Sequence, residues 1–85
     1  MTDIYNTGRL TWQCRRGIKE VEVILLPYFD RFFKDAPDRE KKLFVQLLES
    51  QDPDLFEWFT QRSVPEDKDL AEIVGIVLQK LATRS

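Results

Sequence analysis

The sequence predicts an all-α fold: a small single-domain five-helix bundle covering residues 1–85. Three observations predict it. Apolar side chains recur at helical spacing through most of the chain, and no segment reads as a strand. Prolines stand where helices are expected to begin, a position that tolerates the missing N–H. Length and composition agree: 85 residues make one domain, and 42% hydrophobic with 33% charged residues fits a folded helical protein rather than a disordered one.

The first helix is expected from about Asp3 to Arg15, with Thr2 or Asp3 as cap. Ile4, Gly8, Thr11, Trp12 and Arg15 fall at helical spacing along it. Gly8 weakens this helix by about 1 kcal/mol relative to alanine. The second helix is expected from about Ile18 to Lys34. Val21, Leu25, Tyr28 and Phe32 form one stripe, and Leu26, Phe29 and Phe33 form another, so several sides are buried. Pro27 removes a backbone hydrogen bond and predicts a bend or split near Val23–Leu26.

The third helix is expected from about Pro37 to Ser50. Its stripe is Leu43, Phe44, Leu47 and Leu48, and Asp38 and Glu40 suit its N-terminal dipole. The fourth is expected from about Pro53 to Gln61, with Asp52 as N-cap and Leu55, Phe56, Trp58 and Phe59 as its apolar side. The fifth is expected from about Pro65 to Thr83. Leu70, Ile73, Val74, Val77, Leu78 and Leu81 repeat there at a period of 3.6, with Gly75 off the stripe. Connections of two to five residues imply a compact antiparallel bundle.

A chain this short buries only about 60% of the surface its unfolded form exposes, which favours a function carried on the outside. Net charge is −2, so no general basic field favours nucleic acid. The charge is uneven. Residues 1–20 carry Arg9, Arg15, Arg16 and Lys19 against Asp3 and Glu20, a balance of +2, while the rest carries −4. There is no histidine, which excludes imidazole acid–base chemistry, histidine-activated nucleophiles and imidazole metal sites. The acidic group Glu66, Asp67, Asp69 and Glu72 lacks the glycine-turn loop of a calcium site. No metal site and no catalytic residue is expected. The single cysteine, Cys14, forms no internal disulfide and suits a reducing compartment, packed as a small apolar group. No apolar run reaches the roughly 20 residues of a spanning helix. No signal peptide is visible, so a cytoplasmic protein is expected.

The corner Arg15-Arg16-Gly17-Ile18-Lys19-Glu20 carries most of the functional information. A purely structural reading makes Gly17 the left-handed residue ending the first helix, with Arg15 and Arg16 facing its negative end. A functional reading has the same turn display guanidiniums, bare backbone and a carboxylate to a partner. Both readings can hold. Asp52-Pro53-Asp54 reads as a capped helix start, or as an acidic rim beside an aromatic anchor. Trp12 and Trp58 suit the core, and an exposed Trp would be a contact hot spot. The candidate partner-binding residues are therefore Trp12, Arg15, Arg16, Gly17, Glu20 and Asp52.

Those residues also carry a resemblance. Trp12-x-Cys14-Arg15-Arg16-Gly17-x-x-Glu20, Pro27-x-Phe29 and Leu47-Leu48-Glu49-x-x-Asp52-Pro53-Asp54-Leu55-Phe56-x-Trp58 together resemble the small succinate dehydrogenase assembly factors, the flavinator proteins. The resemblance covers roughly residues 9 to 60. It implies a five-helix fold. It implies binding to the flavoprotein subunit of succinate dehydrogenase, or of fumarate reductase, and promotion of covalent FAD attachment there. Arg16, Gly17 and Glu20 would lie at that contact. FAD would belong to the client, with no cofactor held stably by this chain, which is expected to be monomeric when free. Bacterial members also carry an antitoxin label, the alternative function. A DNA-binding helix–turn–helix with Arg15 and Arg16 on phosphate is a third reading, opposed by the acidic remainder of the chain.

Overall fold

In the computed structural model, which describes residues 7–83, the helices follow in order as α1 (Thr7–Cys14), α2 (Lys19–Tyr28), α3 (Asp38–Leu47), α4 (Asp52–Phe59) and α5 (Lys68–Thr83). No strand occurs among the described residues. The expected start of the first helix, with Thr2, Asp3 and Ile4, lies outside them.

Helix α2 is the axis, packing against α1, α4 and α5. Val21, Leu25 and Tyr28 on it have no exposed surface. They meet Phe44 and Leu47 of α3, Leu55 of α4, and Ile73 and Val77 of α5 in one core. Each large apolar side chain buried this way contributes roughly 1.5–3 kcal/mol. The stripes expected on α3 and α5 are the ones that face inward: Leu43, Phe44, Leu47, Ile73, Val74 and Val77 are all buried.

Pro27 does not split the helix at Val23–Leu26. Helix α2 runs through it and continues as a π-helical turn, Phe29–Phe33. The amide of Phe29 is shared between the carbonyls of Leu25 and Leu26. A π turn is wider than an α turn. Residues four apart therefore stay on one side, and Phe29 and Phe33 sit 5.1 Å apart, with Phe33 5.5 Å from Phe44. The irregularity follows the proline and serves the aromatic core.

Glu40 lies in the first turn of α3, as expected, and has a further role inside the fold. It is buried, receives the hydroxyl hydrogen bond of Tyr28, and pairs with Lys80 Nζ of α5 at 2.7 Å. Lys80 in turn lies over the rings of Tyr28 and Phe32. Burial and the neighbouring carboxylate push the Tyr28 hydroxyl pKa well above its ordinary range.

Two helix ends also differ from expectation. Helix α5 starts at Lys68, not Pro65, because Asp67 caps it: Asp67 Oδ1 accepts from the amides of Asp69 at 2.8 Å and Leu70 at 3.3 Å. The connection across residues 60–67 is correspondingly longer than the sequence suggests. At the end of α4, Gln61 takes the left-handed conformation with φ 62°. Arg62 donates to the Glu57 carbonyl at 2.9 Å and Gln61 to the Trp58 carbonyl at 3.1 Å, a Schellman closure without glycine.

Candidate functional site

Helix α1 packs inward through Leu10 and Cys14, one turn apart. The stripe Gly8, Thr11, Trp12 and Arg15 therefore faces solvent. Trp12 is 74% exposed, an unusual position for so large an apolar side chain. Cys14 has no exposed surface, and its burial pushes the thiol up to about 12, the Arg16 charge offsetting only part of the rise. It packs as an apolar group, as expected.

The α1–α2 corner separates its two arginines. Arg15 is exposed. Arg16 turns inward, and its side chain is only 14% exposed. It does not face the end of α1, as the sequence suggests. Its Nη2 donates to the Leu48 carbonyl, and its Nη1 to the Ser50 carbonyl and to Asp52 Oδ1, both at 3.3 Å. The guanidinium thus closes the C-terminal end of α3, where the dipole is negative, and ties it to the first turn of α4.

Asp52 is not the N-cap of α4. That position is Gln51, with no side-chain cap bond. The Asp52 carboxylate instead serves the corner: Oδ1 takes Arg16, and Oδ2 takes the Gly17 amide at 3.2 Å.

Gly17 is not left-handed, and no glycine at positive φ occurs among the described residues. A Cβ added there would meet only Asp52 Oδ2, at 3.7 Å, an ordinary contact. The fold therefore does not demand glycine at 17.

Beyond Gly17 the first turn of α2 presents Lys19 and Glu20, both exposed. Among the described residues, the side chains of Arg15, Lys19 and Glu20 have no ion-pair or hydrogen-bond partner. Val23, one turn on from Glu20, is 56% exposed. Its exposure agrees with its place off both apolar stripes of this helix.

Of the six residues singled out in the sequence, Trp12, Arg15, Gly17 and Glu20 lie on the outside at or beside the corner. Arg16 and Asp52 lie behind it. No helix among the described residues is long and apolar enough to cross a membrane, and no group of acidic or sulfur side chains there is arranged to hold a metal.

Fold and site together define a small all-α protein whose α1–α2 corner is exposed, partly apolar and partly charged. The chain belongs to the family described as flavinator of succinate dehydrogenase, whose sequence model matches residues 8–81. It is similar to proteins named FAD assembly factor SdhE. The one from Yersinia pseudotuberculosis is 35% identical over 82 residues, covering 96% of this chain and 93% of the relative. The one from Shewanella oneidensis is 42% identical over 72 residues, covering 85% and 88%. The one from Pectobacterium atrosepticum is 36% identical over 75 residues, covering 88% and 85%.

Proposed function

We propose that this chain is a non-catalytic assembly factor. It binds the flavoprotein subunit of succinate dehydrogenase in the cytoplasm, and that of fumarate reductase as a second client, and promotes covalent attachment of FAD there. The docking edge is Trp12, Arg15, Gly17, Lys19 and Glu20, with Val23 at its margin. The observation that carries this reading is the unpartnered set Arg15, Lys19 and Glu20 beside a Trp that is 74% exposed, in a chain of this family. Charges without internal partners are available to a client, and an indole leaving water there contributes roughly 1.5–3 kcal/mol or more.

The chain has no histidine, so it cannot itself accept a histidyl–flavin bond. FAD stays with the client, and the client's own groups make the bond. This chain supplies shape. It holds the flavin-bearing domain so that the acceptor side chain and the flavin meet, and proximity and orientation lower such a barrier substantially. The monomer is sufficient for this role. The relatives named above carry the assembly-factor name rather than the antitoxin one, and a phosphate-gripping corner is disfavoured because Arg16 is engaged internally and Glu20 faces out.

Covalent flavin in the denatured flavoprotein subunit, read by in-gel fluorescence in cells lacking this chain, tests the proposal. Fluorescence should be lost, restored by the wild-type chain and restored only in part by Glu20→Ala. Full fluorescence in the absence of the chain and of any substitute overturns it.

A further inference from the structure

We propose that Arg16 and Asp52 are positioning residues for the docking edge, holding it from behind without touching the client. The proposal rests on the docking role of the corner. Each Arg16 Nη atom is already engaged inside the chain, Nη1 by Ser50 and Asp52 and Nη2 by Leu48. Its Nε is buried without a hydrogen-bond partner, so the guanidinium is oriented by those contacts alone. Asp52 is 25% exposed at its side chain and divides its two oxygens between Arg16 and the Gly17 amide. These links span 32 to 36 residues of sequence and join the α1–α2 corner to the α3–α4 corner.

Cys14 and Val21, fully buried, and Ile18, packed against the core, anchor the corner from its apolar side, and the polar ties to its backbone are few. Gly17 carries no side chain to anchor. Ile18, at the N-cap of α2, makes no side-chain cap bond. Besides that packing, the orientation of Lys19 and Glu20 rests on the Ile18 carbonyl, which accepts from Val21 and Glu22, and on the Asp52 carboxylate under Gly17. A binding edge fixed before the encounter loses less conformational freedom on docking. Asp52 thus acts on affinity through the exposed residues, and Arg16 holds Asp52 in place.

The test uses the full chain with Asp52→Ala, Asp52→Asn, Glu20→Ala and the Asp52→Ala/Glu20→Ala pair. Two quantities are measured where circular dichroism shows every variant fully folded: amide exchange at Gly17 in the free chain, and affinity for the flavoprotein subunit. Asp52→Ala should speed Gly17 exchange by about tenfold, as loss of a charge-assisted bond implies, with core amides of α3 and α5 unchanged. It should weaken client binding by a similar factor. Asp52→Asn, which keeps the shape and one acceptor, should fall between. The double variant should lose less affinity than the product of the single losses, because Asp52 works through the edge that bears Glu20. Unchanged affinity in Asp52→Ala overturns the proposal. So does lost affinity with an unchanged Gly17 amide, which would make Asp52 a direct contact. A wild-type chain that fails to bind the flavoprotein subunit removes the client reading instead. The exchange arm, measured without client, still decides whether Asp52 holds the edge.

Discussion

Replacing Gly17 by alanine separates what the fold needs from what a partner needs. The backbone at 17 is not left-handed, and the new methyl would sit 3.7 Å from Asp52 Oδ2, within ordinary contact. The hydrogen bond from the residue-17 amide to Asp52 survives, since only the side chain changes. The unfolded chain, by contrast, loses freedom. At a site whose native conformation alanine can adopt, this stabilises by about 0.4–1 kcal/mol. For a domain of 60–100 residues, 1 kcal/mol moves the midpoint by about 4–8 °C, so Gly17→Ala should raise Tm by about 2–8 °C. Thermal unfolding followed at 222 nm measures it. On the docking proposed above, affinity for the flavoprotein subunit should fall in the same variant, because the methyl would stand between the corner and the client. A midpoint lowered by more than about 4 °C would mean that the backbone does require glycine there. A stable variant with unchanged affinity would remove Gly17 from the interface.

Gln61→Gly should stabilise the protein by about 0.5–1 kcal/mol, because Gln61 holds φ 62° at the end of α4 and glycine does so without a Cβ penalty; urea unfolding reads the change. Glu40→Ala should destabilise by about 2–3 kcal/mol, chiefly because the buried Tyr28 hydroxyl loses its acceptor, while Lys80, one-third exposed, can turn to water. Glu40→Gln keeps an acceptor and should lose roughly half as much. Stability should also fall as pH rises above about 9. The Cys14 thiol ionises near its ordinary 9.0 once unfolded but only at about 12 when folded, so the unfolded state sheds its proton first. The slope is about −1.4 kcal/mol per pH unit for this one group. Tyr28, raised in the same sense, steepens the fall above its ordinary 10.0. Cys14→Ala should remove the part of the slope between pH 9 and 10 in urea titrations.

What could be read from the sequence was whatever depends on local period. The inward stripes of α3 and α5 follow from spacing alone, and Pro37 marks the start of α3 because extended backbone precedes the helix there. Pro65 misled for an equally local reason. Both it and Asp67 are start signals, and the residue whose oxygen reaches the amides of Asp69 and Leu70 prevails. Gly17 and Gln61 exchanged roles: glycine is permitted the left-handed region, but the hydrogen bonds at the end of α4 demanded it of a glutamine. Periodicity could not show that adjacent arginines would part, since the partners of Arg16 lie 32 to 36 residues away. Nor could it show that Glu40 would be drawn inside by Tyr28 and Lys80, or that Trp12 would remain outside. The family motif falls on the α1–α2 corner, where Trp12, Arg15, Gly17 and Glu20 are exposed and Arg16 turns inward. The structure distinguishes its outward face from its support.

The surface on which the client lands is the contact that matters most. Amide exchange of this chain, measured with and without a saturating flavoprotein subunit, maps that contact. Protection should appear across residues 11–23, on α1, the corner and the first turns of α2, with α5 unchanged. Protection confined to α5 or to the 60–67 connection, with the corner exchanging as in the free chain, would contradict it.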